Sequence, residues 1–272
     1  MARVLAISSQ VVRGHIGLCA VAPALQRLGH EVWPLPTIIL SNHPGHLHAA
    51  GQRIEAGTLD QFIAALDHNG WLDEIDAVLT GYLPSADHAA VAAELIRRLK
   101  SERPVVYLCD PVLGDEPKGL YIDANAAQAI RDSLIQLADV ITPNRFELGW
   151  LTGHSLSSVE SLTDAAHGLS RGTVVVTSAA RRGDTLDTLL VHGAGASRTS
   201  VAWRPDVPHG TGDFLSGLFL GHVLNGLPET EALARSAAGV EVAIEASAGH
   251  NELVLMSQNT WATAAPLAVE AI

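Results

Sequence analysis

Short apolar runs and amphipathic stretches alternate along most of the chain. Residues 4–7, 77–80, 105–108, 139–141 and 173–176 are near-continuous apolar runs of strand length, the character of strands covered on both faces. Residues 31–35 also read as a strand, ended by prolines. Helical spacing covers 18–28, closing at Gly29, and then 62–66, 85–100, 124–137 and 158–170. Over 85–100, Val91, Leu95, Ile96 and Leu99 fall opposite Glu94, Arg98 and Lys100, an amphipathic pattern. Residues 186–191 and 199–203 read as late strands of antiparallel kind, and 211–248 as two helices broken at Gly226-Leu227-Pro228. Strands alternating with helices of this length predict βαβ units. The expected fold is α/β, a three-layer sandwich with a central, mostly parallel sheet flanked by helices. No internal repeat, low-complexity block or linker intervenes, so 1–272 reads as a single domain.

Charge and composition narrow the partners. The 17 Lys and Arg against 29 Asp and Glu give a net charge of −12, with no basic cluster to offset it. A nucleic-acid groove or an anionic membrane surface needs a positive patch, so neither is expected as a partner. The two cysteines, Cys19 and Cys109, are too few for a disulfide framework or a structural zinc site. No apolar run reaches the ~18 residues of a membrane span. The opening residues 1–7 are too short for a signal peptide. The chain is expected to be soluble and cytoplasmic.

In open α/β sheets the ligand site lies beyond the carboxyl ends of the strands. After residues 4–7 come Ser8-Ser9-Gln10 and Gly14-His15-Ile16-Gly17; after 77–80, Gly81-Tyr82; after 105–108, Asp110-Pro111-Val112-Leu113-Gly114-Asp115. Residues 139–141 run into Thr142-Pro143-Asn144-Arg145-Phe146-Glu147, and 173–176 into Thr177-Ser178. Any one of these is ordinary loop chemistry, but together they cluster small, hydroxylic and acidic groups at one end of the sheet.

The sharpest element is His209-Gly210-Thr211-Gly212-Asp213, directly before an apolar helix. Two glycines let successive N–H groups converge on an anion, and the helix start adds unsatisfied donors and the positive end of its dipole. The plainer reading is an Asp cap after a glycine turn. Other phosphate and hydrolase signatures are absent. There is no G-x-x-x-x-G-K-[ST], no G-x-G-x-x-G after the first strand, and no G-x-S-x-G elbow. His43, His46 and His48 have chelating spacing but lie in a Pro/Gly loop with no acidic or Cys neighbour. They read as a solvated loop or a lid over a substrate.

With these residues in place the chain resembles the ribokinase-like superfamily of small-molecule kinases and, within it, the pyridoxal kinases. The resemblance rests on residues 4–17, on Trp33 to Thr37 with Leu40-Ser41-Asn42-His43, and on Gly81-Tyr82-Leu83. It rests also on Cys109 to Asp115 with Lys118-Gly119, on Thr142-Pro143-Asn144 with Glu147, and on Gly210-Thr211-Gly212-Asp213. It implies a ribokinase-like fold and ATP-dependent phosphorylation of a hydroxymethyl group. Asp213 matches the catalytic base, and Gly210, Thr211 and Gly212 the anion hole. Ser9 and Tyr82 match pyridine-contacting positions, with His43, Pro44 and Gly45 in the loop over the substrate. Asp110, Thr142, Asn144, Glu147 and Thr177 match positions around ATP, with Asp110 and Glu147 near Mg²⁺. Implied partners are pyridoxal and ATP, and the implied assembly is a homodimer.

Three positions depart from that pattern. Thr177 stands where relatives often carry a nucleotide-contacting lysine, which leaves Arg181 or Arg182 to supply the charge. Leu120 replaces a cysteine able to add to the pyridoxal aldehyde, and Leu18 replaces an Asn. Two alternatives share the scaffold: a hydroxymethylpyrimidine kinase and a non-catalytic vitamin-binding homologue. The intact Gly-Thr-Gly-Asp tetrad counts against the second, since a mere binder has no use for a base there.

Overall fold

The computed structural model describes residues 1–170, 172–255 and 259–272. It opens with β1 (Arg3–Val11), α1 (Leu18–Arg27), β2 (Glu31–Leu40), β3 (Gly51–Arg53), α2 (Ala56–His68), β4 (Ala77–Thr80) and α3 (Ala86–Glu102). Then come β5 (Val106–Cys109) and a small hairpin of β6 (Gly114–Asp115) and β7 (Gly119–Leu120). Helix α4 (Ala124–Ala129) widens into a π turn over Ile130–Leu134 and tightens again before β8 (Val140–Ile141). The remainder is α5 (Arg145–Thr152), α6 (Val159–Leu169), β9 (Thr173–Arg182), β10 (Thr185–His192), β11 (Gly195–Ala202), α7 (Thr211–Leu224), α8 (Glu229–Ala246) and β12 (Glu270–Ala271).

One sheet runs β12-β11-β10-β9-β8-β5-β4-β1-β2-β3. From β9 across to β2 all pairings are parallel, and the outer pairings are antiparallel. The mostly parallel three-layer architecture is therefore as expected. The chain leaves β1 toward β2, then returns to β4 on the other side of β1. That reversal opens a crevice beyond the carboxyl ends of β1 and β4.

Alternate residues of the central strands feed opposite cores. Leu5, Ile7, Val78, Tyr107, Cys109, Val174 and Val176 face one layer, with α2 to α6. Val4, Ala6, Ala77, Leu79, Leu108 and Val175 face the other, with α1, α7 and α8. Each fully buried Leu, Val or Phe contributes roughly 1.5–3 kcal/mol, so double coverage locks the strand ends in place. Helix α7 is buried over Phe214 to His222 and has no polar face, because α1, α8 and the sheet enclose it. Gly217 allows that closeness: a Cβ there would stand 3.0 Å from Ala24 Cβ and 3.1 Å from Val21 Cα. Among the described residues no helix is long and apolar enough to cross a membrane.

Three expectations need correction. Residues 31–35 do not end at their prolines; β2 continues to Leu40. Pro34 and Pro36 lie where β2 has β1 on one side only, since β3 joins it at Ile38–Leu40, and an edge tolerates a missing N–H. The strand beginning at Thr173 does not stop at 176 but runs to Arg182, because β10 pairs with it at 174–176 and again at 180–182, on either side of a register shift. Helix α5 was not expected, although its start is written in the sequence as a capping box. Asn144 accepts from Glu147 N–H at 2.9 Å, and Glu147 accepts from Asn144 N–H at 2.8 Å.

Candidate active site

Gly210 precedes α7 with φ +102°, and a Cβ there would stand 1.9 Å from His15 O. Only glycine lets this turn lie against residues 14–16. Phe214 N–H makes the first helical bond, to Gly210 O at 2.9 Å. The N–H groups of Thr211, Gly212 and Asp213 therefore have no acceptor within the helix. The space beside Gly212 is open, since nothing lies within 4 Å of a Cβ there. Three donors without a helical partner and a dipole end lie beside the open space at Gly212, the arrangement in which helix starts can accept anions.

Asp213 sits in the first turn of α7, with the backbone N–H of Gly17 beside its carboxyl. Gly17 reaches it because its φ of +53° folds the start of α1 onto β1, where a Cβ would meet Ser9 O at 2.2 Å. Loss of water raises the Asp213 carboxyl above its ordinary value, and the Gly17 N–H opposes that rise. Three residues along the same helix, Ser216 Oγ donates to Asp110 Oδ2 at 2.9 Å and lies 2.9 Å from Thr142 Oγ1. Burial, then the charge of Asp213, pushes Asp110 up as well. Glu147, buried in α5, is raised well above its usual range by burial and by Asp110. Its Oε1 accepts from Leu113 N–H at 2.9 Å and its Oε2 from Asn144 N–H at 2.8 Å. Asn144 Nδ2 donates to Gly114 O at 2.8 Å, so Glu147 and Asn144 together hold the 113–114 turn.

The other rim of the crevice is tied through Ser8. Its buried hydroxyl accepts from Tyr82 N–H at 3.0 Å, and Thr37 donates to Tyr82 O at 2.8 Å. Ser9 is also buried, beside Gly17. Above them His43 Nδ1 accepts from Gly45 N–H at 3.0 Å, and the exposed Pro44 and Gly45 form the tip. His46 Nε2 and Arg13 Nη1 each reach Glu252 Oε1 at 3.0 Å.

At the far end Thr177 N–H donates to Pro143 O at 2.9 Å, and Thr177 pairs with Asn144 across a parallel bridge. Ser178 follows with φ +48°, a left-handed backbone that a serine seldom adopts. Arg182 is committed to buried Asp187, with Nε 2.6 Å from Oδ2. Arg181 lies over the Trp203 ring at 3.4 Å. Of the two arginines expected to replace a lysine, Arg182 is therefore occupied and Arg181 is stacked.

A glycine turn at a helix start beside buried carboxylates, at the reversal point of a parallel sheet, can be set against known proteins. Residues 26–256 match the phosphomethylpyrimidine kinase family. The chain is 35% identical over 262 residues to the pyridoxal kinase PdxY of Corynebacterium diphtheriae, covering 93% of each. The chain belongs to the pyridoxal kinase family. Among solved structures, pyridoxal kinase from Entamoeba histolytica superposes with a TM-score of 0.93 at 25% identity, covering 100% of both chains. Pyridoxal kinase from Leishmania donovani in complex with ADP and pyridoxamine gives 0.93 at 26%, again over 100% of both.

For this member of the pyridoxal kinases, the residues picked from sequence converge unevenly. Ser216 ties Asp110 to Thr142, and Asp213 with the Gly210–Gly212 turn lies at the start of the same helix. Asn144 and Glu147 hold the adjoining 113–114 turn, Ser9 lies beside Gly17, and Tyr82 is tied through Ser8. Sequence reasoning missed Ser8, Thr37, Ser216 and Tyr121. Ser216 carried a signal, because three residues after Asp213 it falls on the same helical face. Tyr121 carried none. Half of it is exposed, and partial desolvation, with Glu147, Asp110, Asp213 and Asp115 nearby, raises its hydroxyl above the usual value.

These raised carboxyls imply a trade of stability for function. A carboxyl whose folded value lies above its unfolded one stabilises the fold below the unfolded value, ~3.9 for Asp, and that help is lost as pH rises through the folded one. Asp110→Asn keeps an acceptor for Ser216 and removes the charge. It should raise Tm at pH 8 by about 2–6 °C without ligands, while lowering activity. The gain should shrink at pH 4, where Asp110 is protonated anyway. Thermal scans at both pH values check this.

Proposed function

We propose that this chain transfers the γ-phosphoryl group of ATP to the 5′-hydroxymethyl group of pyridoxal. The observation that carries the reading is the start of α7, which supplies the Asp213 carboxylate and, one turn later, the Ser216 hydroxyl that holds Asp110. The relatives named above support it: the C. diphtheriae protein is a pyridoxal kinase, and the L. donovani enzyme binds ADP and pyridoxamine.

Phosphoryl transfer passes through a loose transition state, so the protein mainly positions the reactants and neutralises charge. The free N–H groups of Thr211, Gly212 and Asp213 face the transferred phosphoryl group. Asp213 receives the proton of the attacking hydroxyl; its raised carboxyl makes it a better acceptor than an ordinary aspartate. Ser9 and Tyr82 border the flat ring, and residues 43–45 cover it. Thr142, Asn144 and Thr177 lie on the ATP side.

The donor set also fits Mg²⁺. Asp110, Glu147 and Asp213 supply carboxylate oxygens; burial raises all three, and the charge of Asp213 on Asp110 and of Asp110 on Glu147 adds a repulsion that a cation relieves. Among the described residues no group of three or more His, Cys, Asp or Glu forms a protein-only metal cage. Mg²⁺ held by one or two carboxylates through its own waters needs none. Asp110 would hold it, with Glu147 behind, and the ion would offset phosphate charge. The resemblance further implies a homodimer, which sedimentation equilibrium checks.

The test is product identity. Incubation with pyridoxal and Mg-ATP should yield a phosphate monoester at the 5′ carbon, seen by ³¹P–¹H coupling to the 5′ methylene. Absence of that ester from a folded, ATP-binding preparation would overturn the assignment.

A further inference from the structure

The His43 ring, in the loop over the crevice, lies on the His209 ring, which opens the turn into α7. Their centroids are 3.8 Å apart and their planes 19° from parallel. His43 Nδ1 accepts from Gly45 N–H, so its proton is on Nε2 and the ring is neutral. Nothing in the reaction requires a histidine at 209, and the Gly-Thr-Gly-Asp tetrad begins only after it. Yet His209 joins the loop of residues 42–48 directly to the glycine turn before α7. We propose that His209 is a positioning residue for the phosphoryl acceptor: by stacking on His43 it seats the loop of residues 42–48 over the acceptor's ring. This rests on the reading that residues 43–45 cover the acceptor.

Two features make the stack suited to that task. The loop is otherwise fastened at its base, where Ser41 N–H donates to Ala50 O at 2.7 Å and Arg13 N–H to Ser41 O at 3.0 Å, and through His46 to Glu252, itself shared with Arg13. The stack at His43 adds a fastening next to the tip, where Pro44 and Gly45 are exposed. The stack also requires neutral rings, because two imidazolium ions at this spacing repel. Loss of water, then His209, His46 and Lys118, brings His43 from 6.5 down to about 4, with only Glu252 opposing. His209 is lowered by loss of water, Lys118 and His46, against Asp115 and Glu252. A ring with a depressed value in the closed state favours closure fully above the open-state value of ~6.5 and loses that contribution as pH falls toward the closed-state one.

The proposal is read on the acceptor's KM. His209→Ala should raise KM for pyridoxal about tenfold at pH 7.5, with KM for ATP and kcat changed less than about threefold, since only ground-state seating is lost. His209→Phe keeps an aromatic face without a proton. It should restore KM at pH 7.5 to within about twofold and flatten part of its rise between pH 6.5 and 5. An unchanged pyridoxal KM in His209→Ala overturns the proposal, as does equal loss in both variants or a rise in KM for ATP of the same size. Failure of the underlying functional reading looks different: the wild-type protein itself would not turn over pyridoxal. In that event the same two variants are measured on whichever acceptor the wild type uses, and an unchanged acceptor KM still overturns the role of His209.

Discussion

Replacing Asp213 by asparagine should lower kcat by about 10²–10⁴, with KM for ATP changed less than about threefold. The amide preserves size and shape, so the turn into α7 stays in place. What is lost is the carboxylate that the proposed mechanism uses to take the hydroxyl proton. The pH profile carries a second signature. Because the Asp213 carboxyl is raised, the wild-type rate should fall on the acid side at a pH above the ordinary carboxylate range. That limb should flatten in Asp213→Asn, whose residual rate has no such proton to lose. Near-normal turnover in the variant would reduce Asp213 to a cap and remove the base from the mechanism.

Adding a single methyl group at Gly210 should be nearly as damaging. An alanine Cβ would stand 1.9 Å from His15 O, which is backbone, and the residue would have to keep φ +102°. Relief requires the turn to move by more than about 1 Å, and misplacement on that scale costs on the order of 10²-fold in rate. Gly210→Ala should therefore lower kcat/KM about 10²-fold or more and lower Tm. Gly212→Ala is the contrast, since nothing lies within 4 Å of its added methyl and its fold should be intact. Any loss of rate there reports crowding of the anion itself. Equal, near-normal rates in both variants would show that the turn does not bind the transferred group.

The fold was readable because parallel strands buried on both faces leave a strong apolar signal, as at Thr173 to Val176. What remained hidden was local. Pro34 and Pro36 looked like strand breakers because edge position depends on β3, which pairs far along β2 and is too short to see in sequence. The site was legible where chemistry coincides with backbone demands, as at Gly210 and Asp213. It was illegible where a partner comes from a distant segment. Glu252 lies 206 residues from His46, and no spacing could have joined them. Glu147 shows the limit from the other side. Its place near Asp110 was anticipated, but its engagement by the N–H groups of Leu113, Gly114 and Asn144 emerges only in three dimensions.

The acceptor is the claim on which the rest depends. ADP release should be followed with pyridoxal, hydroxymethylpyrimidine and ribose under one Mg-ATP concentration, with pyridoxal absorbance recorded in parallel. Pyridoxal should be consumed in step with ADP release and at the highest kcat/KM, and ribose should be inert. A far higher kcat/KM for hydroxymethylpyrimidine than for pyridoxal, pyridoxine or pyridoxamine would contradict the account and assign the site to the pyrimidine.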